Sequence, residues 1–245
     1  MKKLLILVSA LALVFTSCSS ESSSSSSNTP ILVTKIIETF EDNSTWTIQY
    51  KYSGTKLVKI IDDEGYATFT YNGNLITEVK HYESNTLVQT DTYEYDANGK
   101  VVSFVMIDNI DTDWGDKETY TYNSNGSITV NHYIGDAFSQ TTLNDTGTIT
   151  FLNGEIYQIS NSSGKTTTYT YDTKNTPFLN VTGVDKIAYC GFEGQGVLHN
   201  IIEEDDSDNL DDMTVVYMYN SDDFPVSSII TYPGEVITEE YFYNQ

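Results

Sequence analysis

The chain has 245 residues, of which 35 are acidic and 12 basic, and its formal net charge is −23. All of those basic residues are lysines. This balance excludes nucleic-acid binding, which needs a cationic surface to neutralise phosphates, and it excludes a basic amphipathic helix lying on an anionic membrane. Hydrophobic residues make up 39% of the chain, so a folded domain is expected rather than a disordered chain.

The first 30 residues combine a charged start, a short apolar run and a cysteine. The apolar run Leu4–Phe15 follows two lysines, and it is shorter than the roughly 18 to 20 residues of a membrane-spanning helix. The segment Phe15-Thr-Ser-Cys18 at its end resembles the lipobox of bacterial lipoproteins, with Phe15 standing where leucine is usual. In that family the leader is cut before the cysteine, which then receives lipid.

The resemblance implies three segments and a location. They are a lipoprotein signal peptide over residues 1–17, a lipidated Cys18 at the head of a Ser-rich tether over 18–30, and a β-repeat domain over 31–245. A Ser-rich tether of that length has a reach of roughly 20 Å. The membrane is then a partner through the lipid anchor, and the location is the outer membrane of a bacterial cell envelope, on either its periplasmic or its surface face. The alternative is an ordinary signal peptide with an incidental cysteine.

The second cysteine, Cys190, has no partner once Cys18 carries lipid. The sequence therefore predicts no intrachain disulfide. With no nearby cation or histidine in the sequence to activate it, Cys190 is expected to be a small buried hydrophobic residue rather than a reactive thiol.

From Ile31 onward the chain repeats an aromatic-x-aromatic pattern. The second aromatic of each repeat recurs at Tyr52, Tyr71, Tyr95, Tyr122, Phe151, Tyr171, Tyr219 and Tyr243. Tyr171 and Tyr219 are 48 residues apart, which is about two periods, and this favours one eroded repeat between them. A unit of about 20 to 30 residues is typical of a single hairpin whose apolar face is buried only together with its neighbours.

Each repeat has the features of a β-hairpin. Period-two alternation places Tyr93 and Tyr95 on one face of a strand and Glu94 on the other. Asn-Gly pairs supply the positive φ angles that tight turns require. These pairs are Asn72-Gly73, Asn98-Gly99, Asn125-Gly126 and Asn153-Gly154. The sequence predicts an all-β domain, a sequential antiparallel meander of repeated hairpins that forms a curved or barrel-like sheet.

Two further structural expectations concern the connector and the aromatic face. The aromatic repeat is interrupted at about residues 175–196. We expect an irregular connector there, with helix confined near 178–190, lying over one end of the sheet. The second aromatics are expected to line the inner face. The apolar partners expected for Tyr95 and Tyr122 are Val102, Phe104 and Ile128.

The segment Tyr93-Glu-Tyr-Asp-Ala-Asn-Gly99 resembles the tyrosine-aspartate (YD) repeat of Rhs-type shell proteins. It is still more similar to Bacteroidetes-type lipoproteins of unknown function that carry the same repeat. Tyr171–Phe178 and Tyr219–Val226 resemble a Tyr-Asp-x-Lys-x-x-Pro-Phe segment that precedes the last strands of those lipoproteins. The resemblance covers the chain from about residue 45 onward and implies an architecture, not an activity.

The candidate residues for chemistry are few. His81, His132 and His199 fall on separate predicted strands without further ligands at metal spacing, which favours structural roles. The glycine-rich segment Gly191–Gly196 lacks the spacing of a dinucleotide loop and is interpreted as a turn. No catalytic residue and no cofactor is predicted.

Acidic segments offer the one plausible ion site. Oxygen-rich loops suit calcium. The weak candidate ligands are Asp205, Asp206, Asp208, Asp211 and Asp212. An EF-hand pattern fails there at Leu210, and it fails in Asp108–Asp116 because Trp114 occupies a ligand position. A solvated hairpin loop is the favoured alternative for both segments. Carboxylate pairs suited to glycoside hydrolysis are not decided by the sequence, because their separation is not known.

Three functional hypotheses follow, in order of preference. The first is a non-catalytic binding or structural lipoprotein that offers a tyrosine-rich surface to a protein partner. The second is a glycan-binding accessory protein, in which exposed tyrosines or Trp46 and Trp114 stack on sugar rings. The third, placed well behind, is a carboxylate-dependent glycoside hydrolase.

Overall fold

The structure of the protein is a computed structural model that describes residues 29–191, 194–208 and 212–245. Cys18, the predicted signal peptide and Asp211 lie outside the described residues. Within these ranges the chain forms sixteen β-strands and one short helix. In chain order they are β1 (Val33–Thr39), β2 (Thr45–Ser53), β3 (Lys56–Ile61), β4 (Gly65–Asn72), β5 (Leu75–Glu83), β6 (Thr86–Tyr95), β7 (Val101–Asp108), β8 (Gly115–Tyr122), β9 (Ile128–Asp136), β10 (Ser139–Leu152), β11 (Glu155–Asn161), β12 (Thr166–Asn175), α1 (Val184–Ile187), β13 (His199–Asp206), β14 (Met213–Tyr219), β15 (Pro225–Tyr232) and β16 (Glu235–Tyr243).

The strands form a closed barrel. Each strand pairs antiparallel with its neighbours in sequence, and β1 also pairs with β16, where Ile36 lies opposite Tyr241. The predicted antiparallel meander is confirmed. The pairing of β1 with β16 decides between a curved sheet and a barrel, because it leaves no free strand edge.

The sequence repeats correspond to the even-numbered strands. Each of the strands β2, β4, β6, β8, β10, β12, β14 and β16 carries one of the second aromatics near the same end of the barrel. The expectation of an eroded repeat between Tyr171 and Tyr219 is wrong, because these residues lie on successive even-numbered strands, β12 and β14. An insertion over residues 176–198, between β12 and β13, accounts for the doubled spacing.

The barrel wall has a mainly apolar inner face, which also carries buried carboxylates such as Asp91, Asp116 and Glu118, and a mainly polar outer face. Inward side chains build three hydrophobic clusters, with Tyr50, Tyr120 and Ile149 among their buried members. Outward positions carry mostly threonine, lysine and other polar residues. Examples are Thr47, Gln49 and Lys51 on β2, Lys117, Thr119 and Thr121 on β8, and Thr166, Thr168 and Thr170 on β12. An apolar stripe interrupts this face on β14 and β15, where exposed Val216 lies opposite exposed Ile229.

The second aromatics face inward, as expected, and several of them make the same hydrogen bond. The tyrosine hydroxyl donates to a carbonyl near the start of the preceding strand. These bonds join Tyr95 Oη to Ile76 O at 2.6 Å, Tyr122 Oη to Val101 O at 2.9 Å, and Tyr243 Oη to Pro225 O at 2.7 Å. A turn connects the two strands at their other end. The tyrosine hydrogen bond therefore links the strands at the end that has no turn between them.

A bulge in β7 changes the packing expected for Tyr95. Tyr95 lies opposite Val101 rather than Val102. Phe104 stacks on Tyr93, the first aromatic of the repeat, with ring centroids 5.2 Å apart. The extra residue of a bulge shifts the register, which the alternation of the sequence does not reveal. The partner expected for Tyr122, Ile128, lies directly opposite it.

The residue after the second aromatic shapes the turn that follows. Asp96 Oδ1 accepts hydrogen bonds from main-chain amides two and four residues further on, at 2.8 and 2.9 Å. These bonds lower the pKa of Asp96. Asn220 occupies the same position and accepts from the corresponding amides at 2.9 and 3.0 Å. A short Asp or Asn side chain suits this role, which gives the Tyr-Asp pair a physical basis.

The described part of the connector, residues 176–191 and 194–198, fills one end of the barrel. It contains α1, so the helix expected within 178–190 is confirmed as a single turn. Val181 is buried in the cluster that contains Tyr50, and Tyr189 is buried in the cluster that contains Ile149. The connector lies at one end of the sheet, as expected, and its side chains also enter the barrel and pack against opposite parts of the wall.

The two ends of the barrel differ. The plugged end consists of the connector, the turns at 54–55, 73–74, 96–100, 123–127, 153–154 and 220–224, and both ends of the described chain. Leu32 and Asn244 exchange two hydrogen bonds there, at 3.0 and 3.1 Å. The acidic end consists of the loops at 40–44, 62–64, 84–85, 109–114, 137–138, 162–165 and 233–234, together with the described residues 207, 208 and 212.

Candidate functional site

The loops of the acidic end carry a concentration of carboxylates. Those in the described residues are Glu41, Asp42, Asp62, Asp63, Glu64, Asp111, Asp113, Asp208 and Asp212. Lys165 is the only lysine in these loops. The turns and connector of the plugged end are closer to balance, with Lys100 and Lys186 among their residues. The two ends therefore differ strongly in charge.

Both tryptophans lie at the acidic end. Trp46 is half-buried near the start of β2, and Trp114 closes the β7–β8 loop with 47% of its surface exposed. Ile110 on the same loop and Phe138 on the β9–β10 loop are also exposed, at 64% and 88%. A hydrogen bond of 2.9 Å from Ala137 N to the carbonyl of residue 112 holds those two loops together. Exposed apolar side chains beside carboxylates make this end a candidate binding surface.

A pair of glutamates faces into the barrel near the acidic end, next to the β1–β2 and β15–β16 loops. Glu38 on β1 lies opposite Glu239 on β16, and Trp46 lies opposite Glu38 on its other side. Ser228 Oγ donates to Glu239 Oε2 at 2.5 Å, and the hydroxyl of Tyr241 donates to the same oxygen. Burial raises the pKa of Glu38, and the neighbouring Glu239 adds to the rise. Two inward carboxyl groups thus lie opposite each other, one with a raised pKa and the other hydrogen-bonded to two hydroxyl groups.

An open cavity of about 730 Å³ lies between the loops beyond this pair. Its lining residues are Phe40, Glu41, Asp42, Ser44, Pro233, Gly234 and Glu235. The cavity is acidic and has no lysine in its lining. It offers hydrogen-bond acceptors and one aromatic ring to a molecule at the acidic end.

Each histidine is paired with a carboxylate. His81 Nε2 lies 2.8 Å from Asp91 Oδ2, and His132 Nε2 lies 2.8 Å from Asp116 Oδ1. His199 Nδ1 lies 3.0 Å from Glu155 Oε1. The three pairs lie on different parts of the wall, and no group of three or more potential metal ligands occurs among the described residues.

Glu155 also closes the connector. Its two carboxylate oxygens accept hydrogen bonds from the successive amides of Val197, Leu198 and His199, at 3.0, 2.9 and 2.8 Å. This carboxylate therefore fixes the point at which the connector returns to β13. The position supports a structural role for His199.

Most of the calcium candidates are engaged with other protein groups. Lys165 Nζ lies 2.8 Å from Asp206 Oδ2 and 3.4 Å from Asp208 Oδ2. Asp212 Oδ1 accepts a hydrogen bond of 2.9 Å from the amide of Asp206. Asp205 lines a separate cavity of about 260 Å³. The ammonium group of Lys165 thus neutralises the part of the run where a cation would be expected.

The second acidic segment and the glycine-rich segment also make structural contacts. Asp108 Oδ1 accepts hydrogen bonds from the amides of Ile110 and Asp111 at 2.7 and 2.8 Å, and these bonds lower the pKa of Asp108. The amide of Gly194 donates to the hydroxyl of Tyr169 at 3.1 Å. The acidic segment is thus a loop whose backbone amides are bound by its own aspartate, and the glycine-rich segment belongs to the connector.

Cys190 packs against the cluster around Tyr120. Burial raises the pKa of its thiol, a hydrogen bond with Tyr120 acts in the opposite direction, and the carboxylate of Glu118 adds to the rise. The amide of Gly191 donates to Glu118 at 2.9 Å. A raised pKa disfavours the reactive thiolate, as expected, but Cys190 is half-buried rather than fully buried.

The comparisons with known proteins show the fold. No protein-family model matches the chain, and no curated protein matches it. It is similar to the crystal structure of a porin-like protein from Bacteroides uniformis, with a TM-score of 0.56 and 13% identity over 88% of this chain and 97% of that one. It is also similar to a porin-like protein from Bacteroides vulgatus, with a TM-score of 0.54 and 15% identity over 87% of this chain and 99% of that one.

The similarity extends over nearly the whole length of both solved structures, so the chain shares their overall β-barrel architecture. At this level of identity the shared property is the fold alone. No helix in the described ranges is long and apolar enough to cross a bilayer.

Proposed function

We propose that the protein is a membrane-anchored envelope lipoprotein, held to the outer membrane through lipid on Cys18, and that its barrel is a non-catalytic binding domain in water. The observation that carries this proposal is the polarity of the barrel wall. A barrel that spans a membrane has apolar side chains facing outward and a polar interior. Here the outer face is mainly polar, with many threonines and lysines, and most of the buried side chains inside are tyrosines and aliphatic residues, with a few buried carboxylates among them.

The connector supports the same proposal. Val181 and Tyr189 are buried with wall residues from opposite sides of the barrel, so side chains occupy the plugged end. A transport channel needs a continuous aqueous path. The term porin-like describes the two solved structures. For this chain the shared fold supports a bacterial envelope location, and the buried connector is the argument against a pore.

The acidic end is the proposed ligand face. The tyrosine-rich surface of the first hypothesis is not available, because the repeat tyrosines face inward. Trp46 and Trp114 instead lie at one end with many carboxylates, which favours a glycan as the second candidate ligand, because a sugar ring stacks on an aromatic face while its hydroxyls donate to acidic oxygens. The Glu38–Glu239 pair keeps the hydrolase as a lower-ranked alternative.

Replacing Cys18 by serine tests the anchor. The variant should lose lipid labelling and move from the membrane fraction to the soluble fraction as a folded protein. A Cys18→Ser chain that is unlabelled and still needs detergent for extraction would contradict the proposal, because the barrel itself would then be embedded.

A glycan array tests the ligand face. Trp114→Ala should raise the dissociation constant of any glycan that binds by about tenfold, which corresponds to about 1.4 kcal/mol of lost stacking energy. Tyr157→Ala is the matched control, because Tyr157 is exposed to a similar extent, 44%, but lies on β11 away from the acidic end. Equal effects of the two substitutions would count against the acidic end.

A further inference from the structure

We infer that the barrel stands end-on upon the bilayer that carries its anchor, with the plugged end facing the lipid headgroups and the acidic end pointing away. This inference rests on the proposed anchor at Cys18. It adds the surface that meets the membrane and the direction in which the candidate ligand face points.

The first observation is where the tether joins the barrel. Residues 29–32 are fixed at the plugged end by several contacts with the end of β16 and the connector. Gln245 Nε2 donates to the carbonyl of Thr29 at 3.0 Å, and Asn180 Nδ2 donates to the carbonyl of Ile31 at 3.0 Å. The sequence between Cys18 and Thr29 has a reach of roughly 20 Å. The strands are about 27 Å long at about 3.3 Å per residue, and their tilt in a barrel shortens this to about 20 Å along the axis, so the tether joins the end opposite the acidic loops.

The second observation is the distribution of charge. The acidic-end loops carry clustered carboxylates such as Asp62, Asp63 and Glu64, with Lys165 as their only lysine. At the plugged end, Lys174 pairs with Asp223 at 2.6 Å, and Lys100 is exposed. A bilayer with anionic headgroups repels the acidic end within a Debye length of about 8 to 10 Å, whereas the plugged end has a much smaller net negative charge and is repelled less.

The third observation is the polar side wall. Around most of the barrel, lying on its side would bring outward threonines and glutamates such as Thr92 and Glu94 against the headgroups without burying apolar surface. The exception is the apolar stripe of Val216 and Ile229 on β14 and β15. The short tether brings the plugged end near the membrane, and the repulsion of the acidic loops turns the opposite end outward. The exposed Trp114 is then about a barrel length from the bilayer.

Fluorescence quenching by lipid headgroups tests the orientation. The lipidated mature chain, with one reporter cysteine added and labelled, is reconstituted in vesicles of phosphatidylethanolamine and phosphatidylglycerol that contain a headgroup spin-labelled lipid. Ser124→Cys and Ser221→Cys report on the plugged end, and Thr112→Cys and Glu41→Cys report on the acidic end. All four positions are exposed. The two plugged-end labels should be quenched at least about threefold more than the two acidic-end labels, because about 20 Å along the barrel axis separates the ends.

The label positions separate the possible failures. Ser124 and Thr112 border β8 on one side of the barrel, and Ser221 and Glu41 border the region of β14 to β2. Stronger quenching of both labels on one side would mean that the barrel lies flat, and stronger quenching of both acidic-end labels would mean that it is inverted. Either result, or equal quenching of all four, overturns the orientation alone. A lipid-labelled chain that fails to bind the vesicles overturns the proposed anchor, and Cys18→Ser is the unbound reference.

Discussion

Replacing the tyrosine of a repeat by phenylalanine removes a single hydroxyl group, and the structure predicts opposite results at two equivalent positions. Tyr95 on β6 donates its hydroxyl hydrogen to Ile76 O at 2.6 Å. Tyr52 occupies the same repeat position on β2, but its buried hydroxyl has no hydrogen-bond partner among the described residues. The two side chains are otherwise alike, because each packs against a hydrophobic cluster of the inner wall.

The expected free energies of unfolding follow from these contacts. Tyr95→Phe should destabilise the domain by about 1 kcal/mol, because a hydrogen bond is lost and a carbonyl loses its partner. Tyr52→Phe should be neutral or should stabilise the domain by up to about 1 kcal/mol, because an unpaired buried hydroxyl is costly. Tyr95→Ala should cost about 3 to 5 kcal/mol, because it also removes the packed ring. Glu94→Ala, on the outer face, should change stability by less than about 0.5 kcal/mol.

Urea unfolding followed by circular dichroism measures all four variants. Thermal melts should agree, since about 1 kcal/mol corresponds to about 2 to 4 °C for a domain of this size. Equal destabilisation by Tyr95→Phe and Tyr52→Phe would refute the idea that the repeat tyrosine fastens neighbouring strands. A small effect of Tyr95→Ala, similar to that of Glu94→Ala, would refute the inward orientation itself.

Three further predictions concern the acidic end and the connector. The folded-state pKa of Glu38 is raised above its ordinary value of 4.5, so the domain loses stability as the pH rises from 4.5 through the folded-state pKa and Glu38 ionises. Glu38→Gln should therefore be more resistant to urea than the parent at pH 7 and equal to it near pH 4. The same difference between the two proteins at both pH values would contradict this. Calcium or a chelator at constant ionic strength should shift the melting temperature by less than about 1 °C, because Lys165 already neutralises Asp206. A calcium-dependent rise of several degrees would instead support a calcium site at these aspartates. Tyr189→Ala should cost about 3 to 5 kcal/mol in urea melts because the ring joins the connector to the wall, whereas a cost as small as that of exposed Tyr157→Ala would mean that the connector is not part of the core.

The strands, turns and inward tyrosines could be predicted from the sequence because they depend on local rules. Alternation fixes the face of Tyr93 and Tyr95, and Asn-Gly pairs favour tight turns. The same local rules do not distinguish a lost repeat from an insertion, since both lengthen the interval between Tyr171 and Tyr219. The absence of alternation in the segment 177–196 was the available signal, and it pointed to the connector.

Barrel closure and the glutamate pair could not be predicted, because both depend on contacts between the two ends of the sequence. Ile36 meets Tyr241 only when β1 pairs with β16. The same pairing brings Glu38 opposite Glu239. Alternation does place each glutamate on the inner face of its own strand, but the register between distant strands is set by the whole barrel. The concentration of carboxylates at one end likewise emerges only when alternate loops are assigned to the same end.

The proposed function requires that the barrel be stable in water and be held to a membrane by its lipid anchor alone. Detergent-free refolding of residues 29–245 tests this most directly. We expect a dispersed protein with a β-type circular dichroism spectrum and cooperative urea unfolding, because most outward side chains are polar and most of the buried ones are apolar. Aggregation in buffer that is relieved only by detergent or lipid, with folding appearing at the same point, would contradict it.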